Sequence, residues 1–136
     1  MTVFISGAAR NAAADAITAL VDAGAAGGKL QIRSGTQPAG PDATATGTLL
    51  AEVTLAATAF AASSGGSAAL AGTPLSVTAV ADGTATWFRI LDSAGVARID
   101  GSVGVSSADL VVNTTTVSTG LDVEITDGTL SIPASG

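Results

Sequence analysis

The chain has no cysteine and no histidine. Those two absences exclude a Cys/His zinc site, a Ser-His-Asp triad, a thiol nucleophile and any disulfide. Aromatic side chains are almost as scarce: Trp87, Phe4, Phe60 and Phe88, with no tyrosine. Basic residues number five, one lysine and four arginines, against eleven acids, for a formal net charge of −6. A surface of that sign repels phosphate backbones and anionic lipid, so neither nucleic acid nor a membrane is expected as a partner. The first nine residues carry no basic n-region and no sustained apolar run, so no secretory signal is expected. An uncharged window covers residues 53–81, but Gly65-Gly66 and Pro74 interrupt it. Its Gly, Ser and Thr content argues against a membrane-spanning helix.

What remains is a chain of small side chains. Ala, Gly, Ser and Thr make up more than half of the 136 residues. The mean hydropathy of +0.55 therefore reflects alanine, not large aliphatic groups. The length fits one domain, able to bury roughly two-thirds of its extended surface. With four aromatics the core is thin for a free-standing body, which leads us to expect a homo-oligomer.

Only the first segment has helical periodicity. Ser6 is placed to cap it, and Ala9, Ala13, Ile17, Leu20 and Val21 recur on one face over residues 7–23. Gly24 suits the helix stop, and Gly27-Gly28 is read as loosening a linker that ends at residue 28. From residue 29 the period becomes two. Leu30 and Ile32 alternate with polar neighbours, residues 34–47 form an excursion rich in Pro and Gly, and Leu49, Ala51, Val53 and Leu55 alternate again. Residues 56–72 are ambiguous, with Phe60 and Leu70 as anchors and a loop tip at 63–67. Further strands are expected over 75–80, 86–91, 96–100, 109–113, 121–126 and 129–132. Asp92-Ser93-Ala94-Gly95 makes a tight turn between two of them, and Asp127-Gly128 another. The reading is a single domain over residues 1–136: a helix and linker (1–28) followed by a β body (29–136). The fold class expected is mainly β, an antiparallel β-sandwich of Ig-like or Greek-key type with one N-terminal α-helix.

Candidate chemistry is sparse. Gly24, Gly27, Gly28 and Lys29 resemble a phosphate loop only loosely: the spacing is wrong, Leu30 stands where Ser/Thr is needed, and a strand follows where a helix should. Asp92, Asp100 and Asp109 are numerous enough for glycoside hydrolysis, but sugar-binding aromatic platforms are missing. Asp122 and Glu124 alternate on a strand and should point outward, a poor start for a calcium loop. The sequon at Asn113-Thr114-Thr115 carries no weight without a signal peptide. Arg89 and Arg98, on the two arms of one hairpin, are expected to pair with acids inside the fold. No catalytic, cofactor-binding or metal-binding residues are assigned, and no cofactor is expected. Ile17, Leu20, Val21 and Trp87 are the candidate interface residues.

Two stretches carry a resemblance. One runs Leu30-Gln31-Ile32-Arg33-Ser34-Gly35-Thr36-Gln37-Pro38 and on through Thr46-Gly47-Thr48-Leu49-Leu50-Ala51. The other runs from Trp87-Phe88-Arg89-Ile90 through Asp92-Ser93-Ala94-Gly95, Ile99-Asp100-Gly101-Ser102-Val103-Gly104 and Ala108-Asp109-Leu110 to Asn113-Thr114-Thr115. Together with Ala9-Arg10-Asn11-Ala12 and Leu130-Ser131-Ile132-Pro133, they resemble a family of small virion structural proteins encoded by tailed phages and prophages. The resemblance implies a non-enzymatic protein found in the virion after assembly in the host cytoplasm. Its use there would be capsid decoration, as a cement protein bound to the major capsid protein or to neighbouring virion proteins. The alternative is a tail- or fibre-associated structural or receptor/carbohydrate-binding module. A small hydrolase is the third reading, and composition opposes it.

Overall fold

The computed structural model describes residues 3–24 and 26–134; Ala25, in the expected linker, and residues 1, 2, 135 and 136 lie outside them. One helix, α1 (Gly7–Asp22), is followed by β1 (Lys29–Arg33), β2 (Leu49–Thr54), β3 (Ser67–Ala69), β4 (Leu75–Thr78) and β5 (Gly83–Thr84). Then come β6 (Trp87–Leu91), β7 (Ala97–Gly104), β8 (Leu110–Val112), β9 (Thr116–Val117) and β10 (Asp122–Ser131). The protein is mainly β with one N-terminal helix, as expected.

Most strands follow one hydrogen-bonded path, β2-β1-β6-β7-β8-β10-β3, with β4 also on β10. β3 and β4 lie end to end along the same neighbour: Ser67 is opposite Ser131 and Thr78 is opposite Asp122. The sheet then curls. Just after β4, the Val80 N–H donates to the Leu50 carbonyl at 2.8 Å, tying this end of the path to the edge strand β2. Leu50 is the extra residue of a bulge, since Ile32 faces Ala51 while Arg33 faces Leu49. Bulges bend a strand and re-aim side chains, and here Leu50 and Ala51 are both buried in succession. β5 and β9 form a separate small ladder.

The curl brings the two halves of the sheet face to face. Leu30, Phe88 and Ile90 from one half meet Leu70, Leu110 and Phe60 from the other around an apolar cavity. β6 is buried on both faces. Phe88 and Ile90 point into this core, whereas Trp87 and Arg89 point the other way, beneath the excursion of residues 34–48.

Four expectations need correction. Pairing is not wholly antiparallel, because β7 and β8 run parallel, with Val103 opposite Leu110 and Gly104 opposite Val111. Parallel neighbours usually need a long crossover. A short one suffices here because only two residue pairs at the end of β7 are parallel, and Asp109 closes the loop by accepting from the Ser102 N–H and hydroxyl. Next, Asp127-Gly128 is not a turn, since β10 runs straight through it. A Cβ on Gly128 would lie 3.1–3.2 Å from Leu110 and Leu70 side-chain atoms, so glycine serves close approach there. Third, Gly27 and Gly28 do not loosen the chain. A Cβ on Gly27 would overlap the Leu55 carbonyl, and one on Gly28 would overlap the Leu91 carbonyl and the Val21 side chain, so both positions are closely packed. Fourth, the inward stripe of α1 is Ala14, Thr18 and Val21, with Ile17 half-buried, while Ala9 and Leu20 face solvent.

Candidate interface

Alanine on nearly every side of α1 leaves its rotation to polar contacts. Ser6 caps the helix, its hydroxyl accepting from the Ala9 N–H at 3.1 Å. Asp22 accepts from the Ala59 N–H at 2.9 Å, Asp15 from the Ser63 N–H at 3.0 Å and Asn11 from the Gly66 N–H at 2.8 Å. Arg10 donates through Nε to the Ile132 carbonyl at 2.9 Å. Asp22, Asp15 and Asn11 thus fasten the helix to a hairpin whose tip, Ser64 to Ser67, closes on itself through two backbone bonds, and Arg10 ties it to the end of the chain after β10. Gly65 and Gly66 both take positive φ, 60° and 80°, as a tight two-residue turn requires.

The four candidate interface residues do not gather on one surface. Val21 and Trp87 are fully buried and offer nothing to a partner. Ile17 packs against the core. Leu20 alone turns outward, 46% exposed. Trp87 is covered because the excursion folds back over β6. Its indole N–H donates to the Ser34 carbonyl at 3.0 Å, and the Arg89 guanidinium stands 5.4 Å from its ring. A strand carrying Trp87 on one face and Phe88 and Ile90 on the other needs cover on both faces. That was the available signal.

The acids singled out by composition are each engaged separately. Asp92 Oδ1 accepts from the Ala94 and Val96 N–H groups at 3.0 and 2.9 Å, and Oδ2 binds Arg98 at 3.0 Å. The Val96 N–H, helped by Arg98 and Ala94, holds this carboxyl below the usual range against the opposing effect of burial. Asp100 binds Arg89 and raises the guanidinium pKa chiefly through that hydrogen bond. Asp109 is bonded to Ser102. Asp82 is likewise held low, first by the Thr119 N–H. Both arginine pairs are thus intramolecular, as expected. Asp122 and Glu124 face outward on either side of buried Val123. Among the described residues no group of three His, Cys, Asp or Glu could hold a metal ion, and no helix is long and apolar enough to cross a membrane.

Large apolar side chains are exposed singly at several places, Val80, Val96, Val105 and Leu121 among them, and together at the N-terminal arm. Phe4 is 78% exposed and Val3 70%. This N-terminal arm reaches the other end of the chain, where the Ile5 N–H donates to the Ala134 carbonyl at 2.7 Å. Behind it, Ala8, Ala9, Ala12, Ala16 and Ala19 are exposed along α1. The inward-stripe reading of α1 missed this face, although the alanines that make it are plain in the sequence. No protein-family model, curated protein or solved structure matches the chain.

Proposed function

We propose that this chain is a non-enzymatic structural protein of a tailed-phage particle, a capsid decoration protein held on the outer head surface by the major capsid protein. The observation that carries the reading is a contrast. Asp92, Asp100 and Asp109 are committed to turns, ion pairs and a loop closure, whereas the arm at Val3–Ile5 and the outer face of α1 expose apolar surface. Chemistry needs free, convergent polar groups; assembly needs uncommitted apolar surface. In this reading the curled sheet is a variant of the Ig-like, Greek-key sandwich, and the protein joins the particle in the host cytoplasm.

A tail- or fibre-borne receptor- or carbohydrate-binding module is the alternative. Its recognition loops would be residues 34–47 and 56–72. Both are tied down in this fold, the first by Arg89 and Trp87 and the second by Asn11 and Asp15, which favours decoration. Immunogold labelling of particles from a phage that encodes the chain tests the assignment. Label over the heads is expected. Label confined to tails would move the protein to the alternative, and unlabelled particles would overturn the virion reading.

A further inference from the structure

On one side β7 pairs with β6 from Ala97 to Ser102, but on the other it meets β8 only at Val103 and Gly104. β8 begins at Leu110, opposite Val103. Toward Ala97, therefore, β7 and β10 face each other with no strand between them. Register decides which backbone groups turn into this gap. The Val103 N–H donates to the Thr86 carbonyl, so Val103, Gly101 and Ile99 are the residues of β7 that bond to β6. The residues between them turn the other way. Ser102 shows it, its N–H donating to Asp109 Oδ2, and Asp100 turns its N–H and carbonyl to the same side. β10 mirrors this. Gly128 and Ile132 bond to Leu70 and Gly66 on the β3 side, whereas the Thr129 N–H donates away from β3, to the Asp109 carbonyl. Ser131 turns the same way as Thr129, past the start of β8. Among the described residues nothing bonds to the backbone of Asp100 or Ser131 on this side.

The apolar cavity between the sheet halves reaches the same gap. Its lining includes Ile99 of β7, Leu110 of β8, and Gly128, Thr129 and Leu130 of β10, but no residue of α1. It leaves ≈ 10 Å³ for the centre of a water-sized group, enough for one. Water would find too few polar partners there, so a methyl group suits the space better.

We propose that this gap binds an extended segment of another protein by strand addition. The segment bonds to Asp100 on one side and Ser131 on the other, and sets one alanine or valine methyl in the cavity. Backbone chemistry specifies the extended form. A helix satisfies its own amides, whereas two facing rows of unpaired groups are met by a strand. The width fits one, because β8 fills this place farther along, paired with β7 on one side and β10 on the other. The cavity limits the seated side chain to a small aliphatic one. Charge specifies basic flanks. Asp109 and Asp127 form no ion pair among the described residues, and the nearby Arg98 is already bound to Asp92. A second copy, itself at −6, lacks that complement. Only about four residues can pair, so binding is weak and reversible. The inference is independent of the virion assignment, since it concerns the free chain and a peptide.

The test uses the full chain and a fluorescein-labelled peptide of alternating valine and threonine with lysines at both ends. Fluorescence anisotropy should show saturable binding. N-methylation of the central valine amide should weaken it at least about tenfold, the equivalent of one hydrogen bond, and replacing every valine by threonine should weaken it comparably. Ser131→Pro removes a donor from the exposed last residue of β10 and should weaken binding to a similar extent, with a thermal melt to establish that the variant folds. Amide exchange gives the location: the Asp100 and Ser131 amides should slow on adding peptide, while those of β2 stay unchanged. No binding at millimolar peptide would overturn the proposal. So would binding that follows the lysines alone, indifference to the N-methyl group, or protection that falls on β2. Slowing of the Asp100 and Ser131 amides with protein concentration, without peptide, would give the gap to a second copy and overturn it as well.

Discussion

Arg89 on β6 and Asp100 on β7 stand directly opposite each other, the guanidinium meeting both carboxylate oxygens at 2.8 and 2.9 Å. Their side chains are only 6% and 2% exposed. Arg89 also donates to the Gly40 carbonyl at 3.2 Å, so one side chain joins the central hairpin to the excursion above it. Removing one partner strands the other charge away from water. Arg89→Ala is therefore expected to lower unfolding stability by about 3–5 kcal/mol, whereas the joint replacement Arg89→Met/Asp100→Leu should recover much of the loss. Urea titration of the three proteins checks this. A single-variant loss below ~1 kcal/mol would show that the pair is solvated, as surface ion pairs are.

Phe88 lies in the core between the two halves of the sheet, its ring against the bare Cα of Gly101. Phe88→Ala should cost about 3–5 kcal/mol in the same titration. A much smaller loss would mean that the halves close readily over the space, and that β6 is not the centre of the core.

The low-lying carboxyl of Asp92 gives stability a defined acid dependence. Its folded pKa lies below its unfolded one, so its stabilising effect is full above the unfolded value of about 3.9 and disappears as pH falls through the folded value. Asp82 acts in the same direction through Thr119. Thermal midpoints should therefore be level near neutrality and drop below about pH 4. Asp92→Asn keeps an acceptor for the Val96 and Ala94 amides but loses the charge facing Arg98, and its acid drop should be shallower. An identical drop would assign the acid sensitivity to other carboxylates.

Asn11 tests the helix latch. Asn11→Ala removes the acceptor of the Gly66 N–H, so exchange of that amide should quicken about tenfold, the equivalent of one hydrogen bond. Amides of β6 and β7 should be unaffected. An unchanged Gly66 rate would show that the hairpin tip is held by its own turn and not by α1.

Much of this architecture was legible where local chemistry decides it. Ser6 caps α1, and Asp92 to Gly95 form the foreseen turn, with Gly95 at φ 86° and its N–H bonded to the Asp92 carbonyl. The hairpin built on that turn is the central strand pair. Legibility failed where distant parts of the chain decide. Nothing local marks Gly128 as the point where β10 passes between Leu110 and Leu70, and Asp-Gly reads as a turn by composition alone. The face of α1 was misread because alanine surrounds it, and the amides of Ala59, Ser63 and Gly66 determine its rotation. Trp87 looked like surface until residues 34–48 folded over it. Of the four expected interface residues only Leu20 stands on the surface that the fold leaves open, because a burial pattern marks what is apolar and not which side stays uncovered.

The virion assignment is tested most directly by counting. Quantitative mass spectrometry of purified particles, normalised to the major capsid protein, should find hundreds of copies of this chain per particle. A handful of copies would contradict head decoration and indicate a tail-tip position. None at all would contradict a structural role in the virion.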